Sequence, residues 1–333
     1  MNTGKYYSLS HFIPWSRRFI YFMLIVSSIP CLLYYFLDFT WVAIPWVPIA
    51  LVGTAAAFIT GFRNTQTYNR AWESRQIWGG IVNSSRTWGV MVTSFVRQDP
   101  TTEGALHKQM IYRHIAWLTA LRFQMRESRP WENVKNKAIY IEYRQYYKIP
   151  EWESDMAIEL SPLLADDELK NILSKSNKAT QLIKLQSAEL RKLNEEGHLV
   201  DYNYVEMERV LKDLYDLQGR SERIKNYPYP RQFVSVSFYF IYLLALLLPL
   251  GFLSEFSKMG KGHIWLTIPC SVIVGWMFLV LESIGEATEN PFEGNANDTP
   301  ITSMSRTIEI DLREMLNEQD IPPPLTAVNN ILM

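Results

Sequence analysis

The 333-residue sequence predicts an all-α membrane protein with four transmembrane helices per chain and a large cytoplasmic helical insert. The first observation is that four windows without Asp, Glu, Lys or Arg lie in two pairs, each near the roughly 20 residues that a helix needs to span hydrocarbon. The second is the region between the pairs, where apolar residues recur at the three- and four-residue spacing of amphipathic helices. Strand-like alternation of Val, Ile and Thr is scarce there.

The four uncharged windows are Phe19–Leu37, Phe39–Phe62, Gln232–Ser254 and Ile264–Leu281. The alternative is four buried helices of a large soluble core. Such helices usually keep polar positions on one face, whereas the stretch FIYLLALLLPLGFL, Phe240–Leu253, has none. The first window is not a cleaved signal peptide, because it is too long and a second apolar window follows after the single residue Asp38.

Basic residues beside the windows predict the orientation. Arg17 and Arg18 precede the first window, Arg63 and Arg70 follow the second, and Arg223, Lys225 and Arg231 precede the third. The positive-inside rule then places the N terminus and the middle segment in the cytoplasm. Lys258 and Lys261, in the short loop between the third and fourth windows, favour the opposite orientation, but more weakly. We expect a multi-pass protein of the cell (inner) membrane with both termini cytoplasmic.

This orientation divides the chain into four parts. Residues 1–62 hold the N-terminal segment and the first two transmembrane helices, and 63–230 form the cytoplasmic helical insert. Residues 231–288 hold the last two transmembrane helices, and 289–333 form a cytoplasmic C-terminal tail.

Local signals mark helices within the insert. Asn203 with Glu206 three residues later is a capping pattern, which predicts the start of the last insert helix. Pro228 and Pro230 predict its end, because proline lacks the N–H that a continuing helix needs. The stretch 166–197 is charged along one face and is interpreted as a solvated surface helix.

Composition and motifs exclude several functional classes. A formal net charge of −1 and the lack of an aromatic and basic RNA motif argue against nucleic-acid binding. Cys31 and Cys270 lie in apolar runs and are interpreted as packing residues. The sequence contains no GxxxxGK[ST], HExxH, GxSxG or CxxC motif, so neither an enzyme nor a cofactor is expected. His107 and His114 lie two helical turns apart, and a structural role is favoured over metal binding.

The second window predicts a helix that continues beyond the membrane. Between Thr54 and Gly79 the sequence contains one helix-weakening glycine and no proline. Thr54, Phe58 and Phe62 are four residues apart and fall on one stripe, and Gly53–Ala57 is small enough to allow close helix packing. The stripe either packs or faces lipid, or it forms an apolar ring if several copies surround an axis. Such a ring blocks ions by dewetting and conducts when it widens.

Three motifs resemble one known family. Gly61–Arg86, GFRNTQTYNRAWESRQIWGGIVNSSR, closely resembles the signature of the bacterial branch of the bestrophins. Glu222–Pro230, ERIKNYPYP, resembles the entry of that family to its third span, and Glu289–Pro300, ENPFEGNANDTP, resembles its acidic segment after the fourth. With the four-span layout, the resemblance covers most of the chain.

The resemblance implies an ion channel in the lipid bilayer, a homopentamer that passes monovalent ions through one central pore. The family's neck residues correspond to Thr54, Phe58 and Phe62, the stripe described above. Distance from Pro230 places a second, cytoplasmic constriction at Tyr202, beside the expected Asn203–Lys225 helix; Tyr202 could equally be a structural residue before the helix cap. An apolar neck does not choose between anions such as chloride and cations. A membrane-anchored scaffold or sensor without conduction is the alternative function.

The acidic segment raises the question of a metal. In animal members of the family it supplies calcium ligands through a run of Asp, whereas this chain has Asn295, Ala296 and Asn297 before its single carboxylate, Asp298. One carboxylate with amides is a weak set for a hard divalent cation. Asp298 is therefore the candidate metal ligand, with capping of the following helix favoured over it, and calcium gating is not expected.

Overall fold

The computed structural model describes residues 1–97 and 104–333, and the regular secondary structure of these residues is helical. The helices are α1 (Leu9–Leu37), α2 (Trp46–Phe95), α3 (Ala105–Arg126), α4 (Ala138–Tyr143), α5 (Pro150–Glu153), α6 (Met156–Leu160), α7 (Asp166–Leu173), α8 (Lys178–Glu195), α9 (Asp201–Asn226), α10 (Arg231–Ser257), α11 (Thr267–Thr288) and α12 (Ile301–Met315). In these two ranges β-structure is limited to isolated bridges near the chain ends. The predicted all-α class is confirmed.

The chain forms two compact units. The membrane unit comprises Gly4–Arg70 and Pro228–Asn290. The insert unit comprises Met1–Thr3, Ala71–Tyr227 and Pro291–Met333. Helix α2 contributes residues to both units, and the C-terminal segment belongs to the same unit as the insert.

The membrane unit contains helices long and apolar enough to cross a bilayer. Among residues 1–97 and 104–333, the candidate spans are Leu9–Leu37, Thr40–Phe95, Arg231–Ser257 and Lys261–Thr288, one for each predicted window. A buried cluster that includes Met23, Ile49 and Leu244 joins them. Gly275 allows α11 to approach α1 closely, since a Cβ atom there would lie 2.3 Å from the Met23 side chain.

Helix α2 runs for 50 residues without a break. The expectation of one long helix that continues beyond the second apolar window is confirmed. The sequence explains its length, because α2 contains no proline after Pro48 and each of its five glycines costs only about 1 kcal/mol relative to alanine.

The insert unit is built around large aromatic side chains. Trp78 and Trp88 of α2 and Trp117 of α3 are fully buried in a core to which α8, α9 and α12 contribute. The Trp117 indole N–H donates to Gln218 Oε1 at 2.9 Å, which satisfies the polar atom of that ring.

The charged stretch 166–197 differs from its prediction. It forms two helices, α7 and α8, and α8 buries Leu182 and Leu190 in the core. The break is stabilised by Asn177, whose side chain accepts from the Thr180 N–H at 3.0 Å and caps α8. The interpretation as one solvated helix is wrong, because the apolar residues on the uncharged face pack inward.

The last insert helix begins earlier than the capping pattern predicted. Helix α9 starts at Asp201, preceded by the extended residue Val200, with no side-chain cap. Asn203 is thus inside the helix, and Glu206 pairs with Arg209 on the same helix at 2.5 Å. The predicted Asn203 cap is wrong, whereas the predicted end before Pro228 is confirmed.

Candidate functional site

The stripe on α2 is exposed within the membrane unit. Phe58 is 76% exposed, Phe62 is 44% exposed, and Thr54 is also exposed. Large apolar side chains at this spacing normally pack into the core of their own chain. Packing within the chain therefore does not account for Phe58. We call Thr54, Phe58 and Phe62 the α2 stripe.

The opposite face of α2 is polar and buried. Thr60, Arg63 and Thr67 follow one another at three- and four-residue spacing, and none is more than 2% exposed. The Thr60 hydroxyl lies 3.4 Å from the Ser237 hydroxyl of α10, and the Thr288 hydroxyl of α11 donates to Thr67 at 2.9 Å. We call this face and its partners the polar seam.

Arg63 is the centre of the polar seam. Its guanidinium forms ion pairs with Glu282 of α11 and, at 2.8 Å, with Glu289 directly after α11. The Ser237 hydroxyl donates to the second oxygen of Glu282 at 2.5 Å. Burial of three charges is tolerated only where they pair and hydrogen-bond with one another, so this geometry is tightly constrained.

Backbone contacts extend the polar seam. The Asn64 amide donates to the Leu281 carbonyl at 3.0 Å, and the Arg70 guanidinium donates to the Glu289 carbonyl at 3.1 Å. A Cβ atom at Gly285 would lie 2.1 Å from the Asn64 side-chain oxygen, so α11 needs glycine at its closest approach to α2. The C-terminal end of α11 is thus attached to α2 along about two helical turns.

Sequence reasoning missed the acidic half of the polar seam. Glu282 directly follows the uncharged window that ends at Leu281, and Glu289 opens the acidic motif. A carboxylate at the edge of an apolar span is itself a signal, because an ionisable group in a membrane segment needs a named partner.

Tyr202 lies in the insert unit, in the first turn of α9. Its side chain is 74% exposed. Tyr202 therefore lies inside the helix and not before its cap. An exposed ring in a first turn contributes little to the core of its own chain.

Asp298 organises the loop between α11 and α12. Its carboxylate accepts hydrogen bonds from the backbone N–H groups of Phe292 and Gly294, both at 2.8 Å, and of Thr299 at 2.7 Å. The buried Arg126 guanidinium of α3 pairs with it at 2.7 Å. Phe292 and Gly294 adopt positive φ angles, 71° and 89°, and the carboxylate stabilises this strained turn.

These contacts change the interpretation of Asp298. The expectation that it caps the following helix is wrong, because the residue before α12 is Pro300 and no side chain caps that helix. Both of its oxygens already accept hydrogen bonds from N–H groups. N–H groups and a guanidinium around the carboxylate do not fit a divalent cation, which needs oxygen ligands. Among residues 1–97 and 104–333, no three His, Cys, Asp or Glu side chains lie close enough together to hold a metal.

Glu293 is an unusual carboxyl in the same loop. It is almost fully buried, and burial raises its pKa to about 8, with further contributions from Glu132 and Asp298. The Asn133 N–H at 3.0 Å and the Asn295 amide at 3.2 Å donate to it and oppose the rise. Glu293 lines a cavity of about 280 Å³ together with Glu132 and other residues of the insert unit.

The two histidines of α3 have separate partners. His107 Nε2 lies 3.0 Å from the Val96 carbonyl, and His114 Nε2 lies 2.9 Å from the Ser85 hydroxyl. Complete burial lowers the pKa of His114 to about 3, so it is neutral. It stacks on Trp88 and contacts Trp117, which is a structural environment.

The described parts of the chain contain four apolar helices long enough to span a bilayer, a long α2 and the polar seam. These features indicate a helical membrane protein. A family model described as Bacterial/Fungal Bestrophin protein matches residues 16–314. The chain therefore belongs to the bestrophin family, in its bacterial and fungal branch. The recognition made from the three sequence motifs is confirmed.

Individual relatives are distant but cover most of the chain. The voltage-dependent anion channel-forming protein YneE of Escherichia coli K12 is 26% identical over 277 residues, 83% of this chain and 78% of that protein. Its Salmonella typhi counterpart is 24% identical over 307 residues, 92% of this chain and 88% of that protein.

Solved structures share the fold. The crystal structure of a bacterial bestrophin homologue from Klebsiella pneumoniae superposes with a TM-score of 0.75, at 24% identity, and the match covers 91% of this chain and 98% of that chain. A variant of a crystallised membrane protein gives a TM-score of 0.76 at 25% identity, over 91% of this chain and 99% of that one.

Proposed function

We propose that this protein is a subunit of an ion channel, a homopentamer in which α2 from each copy surrounds one central pore. The apolar neck consists of the α2 stripe, Thr54, Phe58 and Phe62, and the pore passes small monovalent ions. The curated relatives carry the name of anion channel-forming proteins, which supports ion conduction.

The observation that carries the proposal is the exposure of the α2 stripe. Phe58 and Phe62 are large apolar residues that the chain leaves uncovered, while the opposite face of the same helix is buried. Five copies around an axis would shield the stripe from lipid and place a ring of aromatic side chains around the lumen. Such a ring excludes water when narrow, so small changes in its radius control conduction.

The remaining parts of the chain extend the pore. We assign residues 63–230 to the cytoplasm, where exposed charged and polar side chains line the ion path at modest desolvation cost. Tyr202, exposed in the first turn of α9, forms the second constriction. Both termini are cytoplasmic, and the membrane is the inner membrane of the cell. Asp298 stabilises its own loop and is no metal ligand.

Two measurements test the proposal. Native mass measurement of the purified protein should give about five chains, and planar bilayers should show single-channel currents whose reversal potential reports the sign of the permeant ion. A protein that is only monomeric or dimeric contradicts the pore. A correctly assembled ring that stays silent supports the alternative function, a membrane-anchored scaffold or sensor.

A further inference from the structure

Two adjacent residues of α2 have opposite environments. Phe62 belongs to the exposed α2 stripe, whereas Arg63 is 1% exposed in the polar seam. Neighbouring residues of an α-helix are separated by about 100° of rotation about its axis. A rotation of that size would exchange the two faces. Whatever prevents α2 from rotating therefore decides which side chains are exposed.

At the level of the stripe, the apolar contacts of α2 constrain its rotation weakly. At the level of the stripe the buried residues are Ala56 and Thr60, which are small and have few directional contacts. Arg63 differs, because its planar guanidinium donates in fixed directions to two carboxylates at once. Those carboxylates, Glu282 and Glu289, lie about two helical turns apart at the end of α11.

Disengagement of Arg63 would leave its own buried charge unpaired and would remove the ion-pair partner of Glu282, whereas Glu289 keeps Arg231 at 3.6 Å. Removal of one member of a buried ion pair is strongly unfavourable, and more so within a membrane segment. The Ser237 hydroxyl holds Glu282 from α10, and Asn64 and Arg70 hold the backbone at Leu281 and Glu289. The Ser237 contact is independent of α2, whereas Asn64 and Arg70 lie on α2 itself and support the same rotation as Arg63.

We propose that Arg63 is a positioning residue for the neck, whose ion pairs with Glu282 and Glu289 set the rotation of α2 and thereby present Phe58 and Phe62 to the pore. The role of Arg63 in a pore neck rests on the proposed function, but the rotation of α2 can be measured without recording a current. It also makes the C-terminal end of α11 the element that controls the neck.

Thiol labelling measures the rotation. Phe58→Cys and Thr60→Cys are made separately in a Cys270→Ala background, since Cys31 is buried. The reconstituted protein is treated with a small charged methanethiosulfonate, and labelling rates are read by mass spectrometry. With Arg63 intact, the thiol at position 58 should react at least about tenfold faster than the thiol at position 60. The reason is that a buried thiol reacts only from transiently opened states.

Arg63→Gln, added to both reporters, should lower this ratio of rates. We expect a fall of about fivefold or more, the change that the loss of one modest interaction produces in a population. Arg63→Lys should give an intermediate ratio, because a lysine provides a point charge in place of the fork. In planar bilayers, Arg63→Gln should shift the open probability in parallel with the ratio.

The matched control is Arg113→Gln. Arg113 is also buried and pairs with two glutamates, Glu168 at 2.5 Å and Glu189 at 3.5 Å, but it lies in the insert unit. The substitution Arg113→Gln should leave the labelling ratio unchanged even if it lowers the stability of the protein. An equal fall in both variants means general loosening and overturns the positioning role.

Other outcomes are decisive as well. An unchanged ratio in assembled Arg63→Gln overturns the inference, whether or not the wild type conducts. If Arg63→Gln does not assemble, Glu289→Gln and Ser237→Ala replace it, since each removes a single partner; a lowered ratio supports the role and an unchanged ratio overturns it. A silent wild type with an Arg63-dependent ratio contradicts the channel and leaves the control of α2 rotation in place.

Discussion

The ring of Phe62 lies against the ring of Phe233 at the start of α10, with centroids 5.8 Å apart and planes inclined by 41°. Tyr229 contacts Phe233 in turn at 6.3 Å, so three aromatic rings in sequence connect the α2 stripe to the segment that enters α10. Phe58 is far more exposed than Phe62. The two stripe residues therefore differ in how firmly the chain holds them.

Phe58→Ala combined with Phe62→Ala should raise conductance or open probability. Loss of two aromatic rings per subunit widens the neck and lowers the dewetting barrier. Assembly should persist, since exposed positions usually change stability by only about 0.5 kcal/mol. Single-channel recording measures the conductance, and native mass measurement shows whether the ring still assembles. Tyr239→Ala, which removes an exposed ring from α10, is the control. Conductance no greater than in the wild type would return both phenylalanines to a packing role.

Tyr202→Ala and Tyr202→Lys should change the permeability ratio of anions to cations. An exposed side chain at a cytoplasmic narrowing acts on ions through its size and charge, and the lysine variant should favour anions. Reversal potentials in a salt gradient provide the measurement. Tyr215→Ala, on the same helix and also exposed, should leave the ratio unaltered. Identical ratios in both Tyr202 variants would remove this residue from the ion path.

Glu293→Gln should stabilise the protein at alkaline pH. The pKa of Glu293 is raised from 4.5 to about 8 in the folded protein. Folding therefore favours the protonated carboxyl, and the associated stability is complete below pH 4.5 and is lost as the pH rises through about 8.

A neutral glutamine avoids this loss. The difference in thermal unfolding midpoint between Glu293→Gln and wild type should be small at pH 5 and should grow to several degrees at pH 9. The exposed residue Glu127, changed to Gln, should show no such growth. A difference independent of pH would mean that Glu293 is ionised in the folded protein throughout this range.

Asp298→Asn should destabilise the insert unit by about 3–5 kcal/mol, since it removes the closer of the two carboxylates, Asp298 and Glu151, that pair with the buried Arg126 charge. Asp311→Asn, in a partly exposed pair with Arg86, should cost only about 0–1 kcal/mol. Thermal unfolding compares the two variants. Added calcium or a chelator should leave the wild-type midpoint and the currents unchanged. A midpoint raised by calcium and lost in Asp298→Asn would establish a metal site against this expectation.

Several features were predictable because their physical causes act locally along the chain. The thickness of hydrocarbon requires an apolar run of a certain length, so the four spans follow from residue order alone. Helical periodicity places Thr54, Phe58 and Phe62 on one stripe, and the absence of proline lets α2 continue for 50 residues. Pro228 ends α9 because of its own covalent structure.

Other features depend on partners that are distant in sequence. Arg63 precedes Glu282 by 219 residues and Glu289 by 226, and no local pattern pairs them. The capping pattern at Asn203 does not mark the start of a helix, because α9 already begins at Asp201. Asp298 resembles a helix cap in the sequence, yet the nearby Arg126 guanidinium and three N–H groups draw its carboxylate into the preceding loop. Buried charges take the partners that folding brings within reach, because water is no longer available to solvate them.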